Sequence, residues 1–326
     1  MATLKSYRES NMNPLINQVT MSDKVKGPAH IFLESERKDH CFDKFFDEDN
    51  TRFMRPGGKD NVISCISALE ERMKDKTKKN YFGIVDQDFD SVLFQDYIGS
   101  YPRNLFLTDT HDQETMVFAS GALEEYLLAR ANQGKLASFE KRVGKSIREV
   151  VLDSAVTIGC STCIALENLN YGRSAIKRER MPDLSFLKTA DRFGKYFEDY
   201  LIIDTLEINL EEFCEDFNEL NYGYFPIDKW QIIGKKEQLD SDLRWEMANG
   251  HHMSNILAVG LKNLFGVEGY KNEFDQPKII EKEMARLYNL KLFSRTKLCR
   301  SIRTWETTNL KPVFSEAADK QVAYST

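Results

Sequence analysis

Apolar and polar positions along the chain change their period near residue 113, and the two patterns predict different architecture on either side. In the first part, short apolar runs alternate with helix-like stretches. Ala29-His30-Ile31-Phe32-Leu33-Glu34 reads as a first strand, and residues 39–47 as a short helix with Phe42, Phe45 and Phe46 on one face. Residues 51–55 form a predicted second strand, and Pro56-Gly57-Gly58-Lys59 a sharp turn. Asp60-Asn61 is the expected N-cap of a helix burying Val62, Ile63, Ile66 and Leu69. Residues 81–85 and 104–108 complete a set of four strands. Strands separated by helices predict an α/β fold, a mostly parallel sheet with crossover helices.

From residue 113 onward the period is helical, over 114–131, 136–168, 186–200, 208–220, 253–265, 278–290 and 294–305. The expected organisation is therefore an N-terminal extension (1–27), a sheet domain (28–135) and a mainly α-helical region (136–326). A linker is expected around 169–182.

Composition narrows the class. Of 326 residues, 41% are apolar and 11% aromatic, enough for a sizeable core. The net charge of −6 argues against wholesale nucleic-acid coating, yet it averages over uneven segments. Residues 204–219 carry seven acids and no base, whereas 171–195 carry seven bases against three acids. Lys297, Arg300 and Arg303, spaced by three, make one helix face that either tracks a phosphate backbone or is simply solvated. Six scattered cysteines in a long charged chain fit a reducing cytosol. Cys160-Ser-Thr-Cys163 has redox spacing, but it lies in a helix-like apolar segment without a second Cys/His pair, so buried thiols are expected. There is no apolar leader, and no run reads as the roughly 20 apolar residues of a membrane span, so a soluble cytoplasmic protein without membrane contact is expected.

The candidate chemistry lies at Phe82-Gly83-Ile84-Val85-Asp86-Gln87-Asp88-Phe89-Asp90. Alternation along an extended chain would put Asp86, Asp88 and Asp90 on one side, where their carboxylates could share divalent ions. Glu34 ends the first strand at what should be the same carboxyl edge, where open parallel sheets collect ligands. Glu36, two residues on, is the alternative; Glu34 is preferred. Lys59, on a glycine turn before a helix, either contacts phosphate or pairs with Asp60 or the acid cluster. For Asp112 and Glu114, helix capping and dipole compensation are the structural alternatives to metal ligation. His111 is a ligand, a base, or a structural histidine bonded to neighbouring carboxylates. His251 and His252 are expected to hydrogen-bond at a helix start.

The order of these pieces resembles the Toprim domain. The pieces are Glu34 at a strand end, Gly57-Gly58-Lys59-Asp60, Asp86-x-Asp88, and Thr108-Asp-Thr-His-Asp-Gln-Glu114. The version it resembles is carried by a bacterial family of unknown function related to the overcoming-lysogenisation-defect nucleases. Asn249-Gly250-His251 and the stretch from Phe293 through Leu298 to Trp305-Glu306 fit the same pattern, so the resemblance covers most of 28–311. It implies a Toprim-like, Rossmann-like fold and a Mg²⁺-dependent (or Mn²⁺-dependent) nuclease. Glu34 would be acid/base near the metal, Asp86 and Asp88 the ligands, and Lys59 the phosphate contact. Asp90, Asp112 and Glu114 would complete a second metal site. It further implies a toxic effector of anti-phage defence, controlled by an ABC-type ATPase partner, acting on nucleic acid with RNA such as tRNA favoured over DNA. A homodimer is compatible with it. Ser35 stands where the family carries glycine after its glutamate. Two other readings follow from the residues: a phosphatase of haloacid-dehalogenase type with Asp86 and Asp88 as nucleophile and acid, and a catalytically idle binding module.

Overall fold

The computed structural model describes residues 4–22, 27–35, 41–93, 98–168, 197–220, 226–267 and 276–315. They fall into two units. The first comprises Met1–Asp86, Ser100–Asp109 and Asn289–Thr326, the second Gln87–Gly99 and Thr110–Tyr288. The division is not the expected one at residue 135. The chain leaves the first unit after Asp86, returns to it over Ser100–Asp109, leaves again for the rest of the second, and comes back with its C-terminal segment from Asn289.

The first unit is α/β. Strands β1 (Ala29–Leu33), β2 (Thr51–Met54), β3 (Tyr81–Val85) and β4 (Leu105–Leu107) form one parallel sheet in the order β2-β1-β3-β4. All five residues of β1 and all five of β3 are buried, as central parallel strands covered on both faces require. Register pairs Phe32 with Gly83 and with Met54, which assigns these residues to one face. That face carries α1 (Leu4–Met21) and α2 (Lys59–Arg72): Ile16, Val19, Val62, Cys65, Ile66 and Leu69 pack with Phe32, Tyr81 and Val85. The approach is close at Gly83, where a Cβ would stand 2.9 Å from Val62 Cγ1 and 2.8 Å from Leu105 Cδ1.

Ile31 and Phe82 point to the opposite face. Phe82 meets Trp305 edge-on, with ring centroids 4.7 Å apart, and Phe46 stacks on Phe314. The C-terminal helix, Lys297–Asn309, supplies Trp305 to this cover, with Phe314 following the helix, and runs antiparallel to the strands. Its first amides are capped by Asp109, just past β4, and its last turn is tied to Lys78 and Lys79, just before β3.

The second unit is helical apart from a short antiparallel hairpin, Leu201–Ile202 with Glu207–Ile208. Helices α3 (Gln113–Ala119), α4 (Ala122–Arg130), α5 (Gln133–Val143) and α6 (Ile147–Asn168) follow one another, and later come α7 (Gly250–Gly260) and α8 (Pro277–Leu287). Among the described helices, α6 alone has the length and apolar character of a membrane span. Its apolar window is 83% buried, so its side chains form the core of the unit.

Several expected elements differ in detail. The helix expected at 39–47 is a single 3-10 turn, Asp43–Phe45, although Phe42, Phe45 and Phe46 are all buried. Helix α2 is capped by Gly58, not Asp60-Asn61, because two successive glycines at φ +80° and +79° turn the backbone directly into it. The run 114–131 breaks at Ser120-Gly121, and 136–168 breaks at Gly144, whose φ of +75° ends α5. The hairpin, α1, and the helices Lys229–Glu237 and Ser241–Met247 were not expected. Residues 169–196, holding the expected linker and the whole of the basic stretch, and Glu36 lie outside the described residues.

Candidate functional site

Parallel strands end on one edge, and the ends of β1 and β3, which are neighbours, each deliver a carboxylate. Glu34 follows β1 directly and Asp86 follows β3 directly. Glu34 Oε1 accepts the backbone N–H of Asp86 at 2.6 Å, so its side chain turns toward the end of β3. Lys59, first residue of α2, donates from Nζ to the Asp86 carbonyl at 2.5 Å. The glycine turn is bound in as well, since the Gly58 amide donates to the Glu34 carbonyl at 3.0 Å. An acid, a second acid and a lysine from three separate stretches of sequence thus meet on one sheet edge. Beside them Arg55 pairs with Asp43 and donates to the Ser35 carbonyl at 3.2 Å, an interaction the sequence did not reveal.

The expected alternation of Asp86, Asp88 and Asp90 does not hold. The strand stops at Val85, Asp88 takes the left-handed conformation at φ +50°, and Asp90 is buried as the first residue of a short helix, Asp90–Leu93. The Asp88 amide donates to the His111 carbonyl at 2.7 Å, which turns the chain away from extended geometry.

Asp88, Asp90, Asp112 and Glu114 belong to the second unit. There Asp112 caps α3: Oδ1 accepts from the Thr115 amide and hydroxyl, and Oδ2 from the Gly250 amide at 3.0 Å. A Cβ on Gly250 would lie 2.7 Å from Asp112 Oδ1, so only glycine lets α7 begin here. Asp112 therefore has the structural role its sequence position allowed. Glu114 is pushed up to about 7, first by burial and then by the Asp112 charge. His251 hydrogen-bonds Glu281 through Nδ1 at 2.8 Å, and that bond raises it to about 9. Burial drives His252 down to about 3. His111 is buried, with Nδ1 on the Glu246 carbonyl at 2.9 Å and its ring against Phe89. The His251 and His252 amides bond the Asn249 side chain at the start of α7, as expected of a helix start, whereas the His111 ring meets a backbone carbonyl in place of the neighbouring carboxylates expected of it. Glu281, invisible as a partner in sequence, is brought to His251 only by the packing of α8 on α7.

Cys160 and Cys163 are buried within α6 and pushed up to about 12 by burial, the state expected of structural thiols.

Among the described residues, no three His, Cys, Asp or Glu side chains gather as a preformed metal cage. Mg²⁺ does not need one. It dehydrates reluctantly and is commonly held by one or two carboxylates, with waters and substrate phosphate as the remaining ligands. Two hard oxygen donors on adjacent strand ends about 4.8 Å apart suit that ion, while the thiols of this chain are buried elsewhere. No protein-family model and no curated protein matches this chain.

Proposed function

We propose that this chain is a Mg²⁺-dependent, Toprim-like nuclease that cleaves the phosphodiester backbone of nucleic acid. The observation that carries the reading is the meeting of Glu34, Asp86 and Lys59 on one edge of a parallel sheet, with Glu34 hydrogen-bonded to the Asp86 amide at 2.6 Å. Glu34 and Asp86 would hold the ion, with Asp88 the third candidate ligand by sequence. When bound, Mg²⁺ supplies Lewis-acid polarisation of a phosphoryl oxygen. The residues do the rest. The Asp86 amide fixes the orientation of Glu34, so its carboxylate can take a proton from attacking water or return one to the leaving oxygen. Lys59, anchored on the Asp86 carbonyl, brings positive charge to where a phosphate must lie between two acids. Without such a cation the two carboxylates would repel the substrate.

The biological setting rests on the Toprim resemblance. Within that family the sequence looks most like AriB, the effector of the two-gene PARIS anti-phage system. A toxic effector that acts on RNA such as tRNA in preference to DNA, under an ABC-type ATPase partner in the cytoplasm, follows from that likeness. The chain carries no Walker A sequence, so any nucleotide switching belongs to the partner.

The test is cleavage of tRNA, single-stranded DNA and duplex DNA by purified full-length protein, with Mg²⁺ or Mn²⁺ and then with chelator. Cutting is expected with metal only, and Glu34→Ala and Asp86→Ala should each reduce it to background while leaving the circular dichroism spectrum intact. Cutting that survives both substitutions, or clearance of a small phosphomonoester with polymers left whole, overturns the proposal. Expression in cells gives a second readout: wild type should arrest growth and Glu34→Ala should not.

A further inference from the structure

The segment Leu290–Arg303 contains five bases, Lys291, Arg295, Lys297, Arg300 and Arg303, and no acid, in a chain whose net charge is −6. The structure divides these five differently from their spacing. Arg303 turns inward, where it pairs with Glu306 at 2.9 Å and lies over the Phe314 ring at 4.0 Å. Lys291, Arg295, Lys297 and Arg300 are exposed, and none of the four forms an ion pair among the described residues. Arg300 instead donates to the Arg295 carbonyl at 2.8 Å, which keeps the two guanidinium-bearing residues adjacent.

Their location follows from one side chain. Asp109 lies just past β4, and its two carboxylate oxygens accept the amides of Lys297 and Leu298 at 2.6 and 2.7 Å. The C-terminal helix therefore starts at the carboxyl edge of the sheet, the edge that carries Glu34 and Asp86, within the same unit.

Two of these cations, Lys297 and Arg300, stand where helix electrostatics disfavour them. The first turn of a helix is its positive end and favours acids, yet this first turn holds no acid, begins with Lys297 and is followed by Arg300. Fold stability alone would select the opposite charge here. A polyanion running over the edge accounts for the placement, because exposed cations beside two carboxylates offset their repulsion of a phosphate chain.

We infer that the exposed face formed by Lys291, Arg295, Lys297 and Arg300 is the track that binds the sugar-phosphate backbone of a nucleic acid leading to the Glu34–Asp86 edge. The inference rests on the nucleic-acid reading above and names its docking surface. Contacts of this kind are made to phosphates, so the track binds without sequence preference and its affinity falls with salt.

The test uses the full chain carrying Glu34→Ala, in chelator so that nothing is cut, with fluorescein-labelled tRNA and a labelled single-stranded DNA as probes. Anisotropy titrations are run from about 50 to 300 mM salt, as assay conditions spanning about a 14 to 6 Å range of screening. Adding Arg295→Gln, Lys297→Gln and Arg300→Gln together should weaken binding at least about 10-fold near 0.1 M salt. It should also lower the log–log salt slope by about 2, since each lost phosphate contact on a single strand contributes about 0.7. A second variant, Lys291→Glu with Arg295→Glu, leaves the helix itself untouched and should weaken binding in the same direction. Melting temperatures check that both variants fold. Unchanged affinity and slope in both folded variants overturn the inference and leave the face to an acidic protein partner. Absence of binding by the parent protein to either probe overturns it as well. Because binding is read without metal, a wild type that fails to cut in Mg²⁺ would sink the catalytic reading while leaving this comparison intact.

Discussion

Buried ionisable side chains decide how single residues of this protein respond to pH. His30 is 2% exposed on β1, on the face of Tyr81 and α2, and neither ring nitrogen makes a hydrogen bond among the described residues. Burial, then the charges of Lys311 and Arg52, bring it down to about 4 from 6.5. The folded chain thus holds His30 neutral where the unfolded chain would take up a proton. Stability is full above pH 6.5 and is lost as pH falls toward 4. At pH 5 the loss from this residue is about 2 kcal/mol. His252, lowered to about 3, acts in the same direction in the second unit. Urea denaturation at pH 7 and pH 5 should therefore show a smaller drop for His30→Leu than for wild type, by about 2 kcal/mol. An equal drop in both proteins would show that His30 is protonated in the folded state. Lys59 offers a second residue-scale check. Lys59→Met should lower nucleic-acid cleavage roughly 100-fold or more at saturating Mg²⁺ while leaving the melting temperature within a few degrees. Full activity in that variant would reduce the Lys59–Asp86 bond to a purely structural link.

At the scale of elements, the most consequential contact is the cap on the C-terminal helix. Thr296 caps locally, accepting the Cys299 amide at 3.0 Å, and Asp109 accepts two more amides from 188 and 189 residues away. Asp109 is also the one carboxylate that compensates the cations at this helix start among the residues capping it. Asp109→Ala should cost about 1–2 kcal/mol in chemical denaturation, and Asp109→Asn, which keeps an acceptor oxygen, about half of that. Lys297→Glu should act in reverse, raising stability by a few tenths of a kcal/mol through the helix dipole while weakening nucleic-acid binding. Stability and binding moving in opposite directions would be hard to explain if Lys297 were only a solvated surface residue.

At the scale of the whole molecule, the first unit is discontinuous in sequence. Its sheet is covered on one face by α1 and α2 and on the other by side chains from beyond residue 289, including Phe293, Trp305, Val313 and Phe314, all buried. Burying each such side chain contributes about 1.5–3 kcal/mol, so together they approach the whole margin of about 5–15 kcal/mol of a typical domain. A chain ending at Tyr288 should therefore lose the first unit, with early proteolysis between β1 and β4 and a lower melting temperature. The fragment 28–135, which the sequence pattern suggested as a domain, should not fold alone. A cooperative melt of that fragment would refute the discontinuous unit.

What the residues settled unaided were local matters. Alternating apolar runs located the four strands within a residue or two, because central parallel strands must be apolar on both faces, and Val62, Ile66 and Leu69 marked the buried stripe of α2. Glu34 and Asp86 were recognisable because each is the first polar residue after such a run. What required the tertiary structure were relations between distant stretches. The cap of Asp109 on Lys297, the pairing of His251 with Glu281, the inward turn of Arg303 and the return of the C-terminus to the sheet leave no periodic trace. The run Asp86-x-Asp88-x-Asp90 misled for the same reason. Its spacing of two is a strand signal only while the chain stays extended, and a long-range hydrogen bond from Asp88 to His111 decides that it does not.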